Sequence, residues 1–180
     1  MLLTLLSAGL LFACALTSEA ASMFTVSSPA FAAGQPIPSK YTCEGADTSL
    51  PLQWSGVPQG AKSLALIMDD PDAPDPAHPR MTWVHWVVYD IPPTTTSIAA
   101  DGSSSSMPAG SQEGRNDFKR TRYGGPCPPI GRHRYFVKLY ALDTVLHPGN
   151  TLDKPGLEAA MHGHVIGEAQ LIGTFKKGDP

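Results

Sequence analysis

Carboxylate, imidazole and thiol side chains in this chain stand at positions where a binding or catalytic site could form. Three carboxylates fall within the segment Asp69-Asp70-Pro71-Asp72. His85 lies in an apolar stretch, and His133 follows a loop of glycines and prolines at positions 124–129. An imidazole can donate or accept hydrogen bonds, and a carboxylate can accept them and fix a histidine tautomer. These residue types predict an anion-binding pocket or an acid–base site.

Each of these signals also has an ordinary structural explanation. A single histidine in a strand is most often a hydrogen-bonded core residue, and aspartates next to proline commonly form turns. Two histidines near carboxylates could also hold a metal ion or act as an acid–base pair in a hydrolase. The sequence has neither a His-x-x-x-His spacing nor a Gly-x-Ser-x-Gly motif. We therefore expect a non-catalytic binding site, and keep a metal-assisted hydrolase as the weaker alternative.

Hydrophobic periodicity places both histidines on strands. Alternation over 82–89 predicts a central strand in which His85 shares a face with Trp83 and Val87. A later strand at 133–142 puts His133 and Tyr135 on one face. Further strands are predicted near residues 24–26, at 52–54, 63–68 and 165–175, and a short helix at 155–161.

Turn-forming residues separate these elements. The prolines between 71 and 79 predict irregular chain until about Met81, and 99–117 has the composition of a long surface loop. The pattern of short strands and turns indicates a mainly β fold, an antiparallel β-sandwich with one or two short peripheral helices.

Length and charge narrow the function further. The 180 residues suffice for one domain, and a net charge of −3 with a pI near 6.0 gives no footprint for nucleic acid. The apolar run from Leu2 to Leu16 is too short to span a bilayer and resembles the core of a signal peptide. We expect a leader at 1–21, a domain at 22–180 and an exported protein, periplasmic or secreted.

The cysteines leave two questions open. Leu11-Phe12-Ala13-Cys14 also resembles a lipoprotein box, so a membrane-anchored lipoprotein through Cys14 is the alternative to simple cleavage. Without the leader, Cys43 and Cys127 remain, and an even count in an oxidising compartment favours a disulfide. Two buried thiols that never meet are the alternative.

Three segments taken together resemble a known family. They are Asp70-Pro71-Asp72-Ala73-Pro74, His85-Trp86-Val87-Val88-Tyr89, and Tyr123-Gly124-Gly125-Pro126-Cys127-Pro128-Pro129 with His133-Arg134-Tyr135. In this order they resemble the phosphatidylethanolamine-binding protein family, and more closely its bacterial Raf kinase inhibitor-like branch. The resemblance runs from about Phe24 to Phe175.

The resemblance implies a β-sandwich whose three segments meet in a small surface pocket for phosphate-type anions or phospholipid head groups. By position, the residues implied to line it are Asp70, Asp72, His85, Gly125, Pro126, His133 and Tyr135. It implies no metal or redox cofactor. An inhibitor that acts on a kinase or protease by protein contact is the alternative function. The sequence leaves open whether the chain forms a homodimer, and it predicts membrane contact only if Cys14 is lipidated.

Overall fold

The computed structural model describes residues 23–179, and the predicted leader with Cys14 lies outside this range. Two antiparallel sheets form the molecule. The first has the order β1-β2-β5, with strands at Thr25–Ser27, Leu52–Ser55 and Ser97–Ile98. The second has the order β6-β4-β3-β7-β8, with strands at Gln112–Glu113, Met81–Ile91, Ser63–Ala73, His133–Leu142 and Val165–Phe175.

Helical structure is sparse in the described part of the chain. It comprises a 3-10 turn at Ser39–Tyr41, a four-residue helix α1 at Gly102–Ser105, and an eight-residue helix α2 at Lys154–Met161. The predicted mainly β fold with antiparallel sheets is confirmed.

The main core lies between the two sheets. Val26 and Trp54 of the small sheet pack with Leu66, Trp86 and Val137 of the large sheet, and all five are buried. Burying one such side chain contributes roughly 1.5–3 kcal/mol relative to leaving it exposed. In β7 the buried residues alternate from His133 onward, as the sequence pattern predicted. This alternation fixes the side of the sheet on which His133 lies.

A second core covers the outer face of the large sheet. Leu157 and Met161 of α2 pack with Ala65 and Ile67 of β3, and this explains why β3 is buried on both faces. The Asp153 side chain caps α2 by accepting a hydrogen bond from the Gly156 N–H at 3.0 Å.

Two sequence-based boundaries were wrong. Strand β3 continues through the Asp-Pro-Asp segment to Ala73 instead of ending at Met68, because register shifts between Asp70 and Ala73 accommodate Pro71 without a ladder N–H. The segment 99–117 contains α1 and β6, so it is not a loop throughout.

The predicted face of His85 was only partly correct: His85 and Trp83 line the same cavity, but Val87 lies on the opposite side of the sheet. Met68 pairs with Trp86 and Asp69 pairs with Val84, so His85 is the extra residue of a β-bulge. Beyond the bulge, Val84 packs with Val87 and Tyr89 in the second core. The His85 ring lies instead against Tyr135, which belongs to the main core. A bulge interrupts the alternation of side chains along a strand, and the position of a bulge is not visible in the hydrophobic periodicity of the sequence.

Candidate functional site

The three carboxylates at the end of β3 have three different partners. Asp69 Oδ2 accepts from Lys138 Nζ at 2.8 Å and from Lys154 Nζ at 2.6 Å. Asp70 faces His133, and Asp72 binds Arg134. The three carboxylates therefore bind different partners in the sheet. Of the three, only Asp70 lines the cavity described below.

Asp70 and His133 form a buried pair. Asp70 Oδ2 lies 2.7 Å from His133 Nδ1, and Asp70 Oδ1 accepts from the Asp72 N–H at 2.8 Å. His133 Nε2 is 2.9 Å from the carbonyl oxygen of Ile130, so this nitrogen donates. Burial raises the pKa of Asp70, while its hydrogen bond to His133 opposes the rise. The pair is thus satisfied on every side by protein atoms.

His85 is held by the backbone of the Gly-Pro segment. Its Nδ1 lies 2.6 Å from the carbonyl oxygen of Gly124, and its ring meets those of Phe118 and Tyr135 edge to face. Burial lowers the pKa of His85 to about 4, although the Gly124 carbonyl works in the opposite direction. The imidazole is therefore neutral near pH 7, with its proton on Nδ1.

These side chains meet at a cavity of about 440 Å³. Its walls are mostly apolar, and its ionisable side chains are Asp70, His85 and His133. The other lining residues are Ala73, Pro74, Met81, Trp83, Phe118, Cys127, Pro128 and Pro129. An apolar cavity with a few convergent polar groups is the usual form of a small-molecule site.

The other four predicted residues support this cavity from outside its lining. Asp72 accepts from the Arg134 backbone N–H and from its guanidinium, and these bonds lower the pKa of Asp72. Tyr135 is fully buried, and its hydroxyl has no partner among the described residues. The Gly125 N–H donates to Asp47 Oδ1 at 2.6 Å, and the carbonyl of Pro126 accepts from the Cys43 N–H at 3.1 Å.

The glycines fit because their neighbours approach closely. A Cβ on Gly125 would lie 2.5 Å from Asp47 Oδ1 and 2.6 Å from the Tyr41 carbonyl oxygen. A Cβ on Gly124 would lie 2.5 Å from the Phe118 ring. Neither glycine N–H is free for a ligand, because the Gly124 N–H donates to the His85 carbonyl at 3.0 Å and the Gly125 N–H donates to Asp47.

The cysteines join the two loops beside the cavity. Cys43 and Cys127 form a disulfide with a Cα–Cα distance of 5.4 Å. Cys127 lines the cavity, and the bridge ties it to the chain after the 3-10 turn. The disulfide thus links Cys127 in the cavity wall covalently to the segment around Cys43.

Sequence reasoning missed the aromatic wall. Trp83 and Phe118 contact each other edge to face with ring centroids 5.4 Å apart. The segment that contains Phe118 is held by Asn116, whose side chain donates to the carbonyls of His85 and Arg122 and accepts from the Arg120 N–H. The spacing of Trp83 two positions before His85 was a usable signal, whereas nothing in the sequence pattern marked Phe118 or Met81.

Two further features bear on function. Within residues 23–179, no group of three or more His, Cys, Asp or Glu side chains is arranged to hold a metal ion. In the same range, no helix has the length and apolar character needed to cross a membrane.

Comparison with known proteins places this geometry in context. A family model described as "Phosphatidylethanolamine-binding protein" matches residues 27–176. A UPF0098 protein of Methanothermobacter thermautotrophicus is 51% identical over 143 residues, which cover 79% of this chain and 91% of that protein. A UPF0098 protein of Chlamydia pneumoniae is 44% identical over 150 residues, covering 83% and 97%.

Solved structures show the same fold. CT736 of Chlamydia trachomatis, titled a homolog of the phosphatidylethanolamine-binding protein, superposes with a TM-score of 0.78 at 40% identity. That match covers 86% of this chain and 98% of the other. YbcL of E. coli, titled a member of the mammalian PEBP family, gives a TM-score of 0.77 at 32% identity, covering 86% and 99%.

Proposed function

The chain belongs to the phosphatidylethanolamine-binding protein family, and we propose that it is a non-catalytic binding protein for a phosphate-bearing head group. The ligand enters the cavity that contains Asp70, His85 and His133. The observation that carries the proposal is the convergence of these three buried side chains in one apolar cavity.

The size and walls of the cavity support a head group with an organic part. Its volume of about 440 Å³ falls within the usual range for ligand pockets. The aromatic and proline walls can contact the carbon atoms of the ligand, and the polar end can reach His85. Met81 at the wall is 52% exposed, so the cavity opens to the surface beside an apolar side chain.

The electrostatics of the cavity are compatible with a phosphate group. The one carboxylate in the lining, Asp70, is paired with His133, so its charge is compensated in either proton arrangement. A zwitterionic head group could also direct its ammonium group toward Asp70 and the aromatic rings of Trp83 and Phe118. This use of both charge signs fits the name of the family.

The non-catalytic part of the proposal rests on how the lining side chains are engaged. Of the eleven lining residues none is Ser, Thr or Lys, and Cys127 is bonded to Cys43. Asp70 and His133 are hydrogen-bonded to each other and to the backbone, which suits a rigid binding surface. The free ring nitrogen of His85 has no Ser, Thr or free Cys side chain in the lining that it could activate as a nucleophile.

We further propose that the protein works in an oxidising compartment outside the cytoplasm. The Cys43–Cys127 disulfide supports this, because such bridges persist in exported proteins and are rare in the cytosol. The apolar run from Leu2 to Leu16 supports the same location as an export signal.

Calorimetric titration with O-phosphoethanolamine tests the binding proposal. We expect one saturable site in the wild-type protein and an affinity at least about tenfold lower in His85→Ala, since loss of one hydrogen bond to a charged group costs about 1.5–3 kcal/mol. His164→Ala is the matched control, because His164 is exposed and pairs with Asp143 outside the cavity lining. Equal affinity in all three proteins would refute the proposed site.

A further inference from the structure

The ionisable side chains of the cavity offer a ligand hydrogen-bond acceptors, because their N–H groups are already bound to protein atoms. His133 uses both ring nitrogens on protein atoms, namely Asp70 Oδ2 and the Ile130 carbonyl oxygen. Asp70 also uses both of its oxygens, the second on the Asp72 N–H. Both ring nitrogens of His133 are therefore already hydrogen-bonded to protein atoms, and the pair has no N–H group left for a ligand.

His85 adds an acceptor and not a donor. Its Nδ1 points to the Gly124 carbonyl oxygen, which can only accept, so Nδ1 carries the hydrogen. In the neutral ring Nε2 is then a lone pair, and it is the nitrogen that remains for a ligand. Burial disfavours the charged ring and keeps the pKa of His85 at about 4.

The proline and glycine backbone around the ligand space adds no free N–H group. Pro74, Pro128 and Pro129 line the cavity and have no N–H group. The N–H groups of Gly124 and Gly125 donate to the His85 carbonyl and to Asp47 Oδ1. A fully deprotonated phosphate would thus face a lone pair on His85 and the carboxyl group of Asp70.

We propose that the cavity takes its acid group together with one proton, held between a ligand oxygen and Nε2 of His85. The ligand class is then a phosphate monoester or a phosphonic acid in its monoanionic form, in preference to a dianion or a phosphodiester. This inference rests on the proposed binding function. No bond between heavy atoms changes: the proton either stays on the ligand as P–OH facing Nε2, or its O–H bond breaks and an N–H bond forms, which leaves P–O⁻ facing protonated Nε2.

Other ionisable groups surround His85 and must be separated from it in any test. Asp70 on β3 and His133 and Tyr135 on β7 lie near the ring, and Asp69 and Asp117 act on it through their charge. His133 is itself an imidazole, so a pH dependence of binding could come from it. The origin of the proton is revealed by changing the ligand and leaving the protein intact.

Linkage fixes the direction of the pH effect. The complex holds one proton more than the free dianion, so affinity is constant below the second pKa of the monoester and falls above it. That second pKa is about 6, and the fall is about tenfold for each further pH unit. Simple electrostatic attraction of a dianion would give the opposite trend.

Three ligands that share the aminoethyl group test this in the wild-type protein by calorimetry. They are O-phosphoethanolamine, 2-aminoethylphosphonate, whose second pKa is higher, and the diester glycerophosphoethanolamine, which has no P–OH. For the monoester we expect uptake of about one proton per ligand at about pH 8 and about none at about pH 5. We expect the midpoint to move upward for the phosphonate, and the diester to bind at least about tenfold more weakly than the monoester at about pH 5.5.

The outcomes separate this inference from the proposed function. Binding without proton uptake at about pH 8, a midpoint that is the same for both monoanionic ligands, or a diester that binds as tightly would overturn the inference and leave the site intact. Absence of saturable binding by all three ligands would reject the proposed function itself.

A variant provides an independent check. His85→Gln places an amide near the position of Nε2, and an amide offers a donor without titrating. We expect the fall in monoester affinity above about pH 6 to shrink at least threefold, whereas His164→Gln retains it. A His85→Gln protein that keeps the full pH dependence would locate the proton on another group.

Discussion

The pKa values of Asp70 and Asp72 shift in opposite directions because the two carboxyl groups have different surroundings. Burial raises the pKa of Asp70, and the guanidinium of Arg134 lowers that of Asp72, two positions away. The contribution of Asp72 to stability is therefore present above its unfolded pKa of about 4 and lost as pH falls through the lower folded value. For Asp70 the sign is reversed, since its burial favours the protonated form.

Asp72→Asn tests this assignment. We expect the free energy of unfolding to fall by about 1–3 kcal/mol at neutral pH, because the hydrogen bonds from Arg134 to a charged acceptor are lost. The difference from wild type should shrink as pH falls below about 4, where the carboxyl group becomes protonated. Urea unfolding at both pH values measures it.

The matched control is Asp143→Asn, which removes an exposed pair with His164. Exposed pairs contribute about 0–1 kcal/mol. An effect of Asp72→Asn no larger than that of the control would contradict the role of Asp72 in holding β7 to β3.

At the level of elements, the bulge in β4 and the prolonged β3 decide what reaches the cavity. The residue types and the order of the motifs were enough to predict that His85, His133 and Asp70 lie in one pocket. The bulge that turns His85 toward Tyr135 arises from the pairing of Met68 and Asp69 across the strand, so sequence periodicity could not reveal it. The segment that contains Phe118 is likewise held by the side chain of Asn116, which donates to the carbonyl of His85 on β4.

The Gly-Pro segment offers a test at this scale. Gly125→Ala should displace the segment that carries Cys127 and Pro128, since its Cβ would approach Asp47 and the Tyr41 carbonyl within 2.5–2.6 Å. We expect a loss of stability of about 1–3 kcal/mol and weaker binding of O-phosphoethanolamine. Thermal unfolding and calorimetry measure the two effects.

Gly149→Ala serves as the control, because a Cβ there has no atom within 4 Å. We expect its stability to stay within about 0.5 kcal/mol of wild type. If Gly125→Ala behaves in the same way, close packing of this segment does not shape the cavity.

For the whole molecule, the resemblance of the motifs predicted the sandwich correctly, since the family match and the solved structures cover most of the chain. The disulfide spans a sequence separation of 84 residues. Closing so long a loop stabilises by about 4–5 kcal/mol in the chain-entropy model. The aromatic wall was not predicted, because it is assembled from segments that only the complete fold brings together.

The central claim is that the cavity holds a phosphate-bearing head group at His85. The most direct measurement is a crystal structure of the whole protein grown at about pH 5.5 with O-phosphoethanolamine and without phosphate, sulfate or cacodylate. We predict a phosphate oxygen within hydrogen-bond distance of His85 Nε2, with the carbon atoms of the ligand against Trp83 and Phe118. A cavity filled by water alone, or a ligand bound elsewhere on the molecule, would contradict the claim.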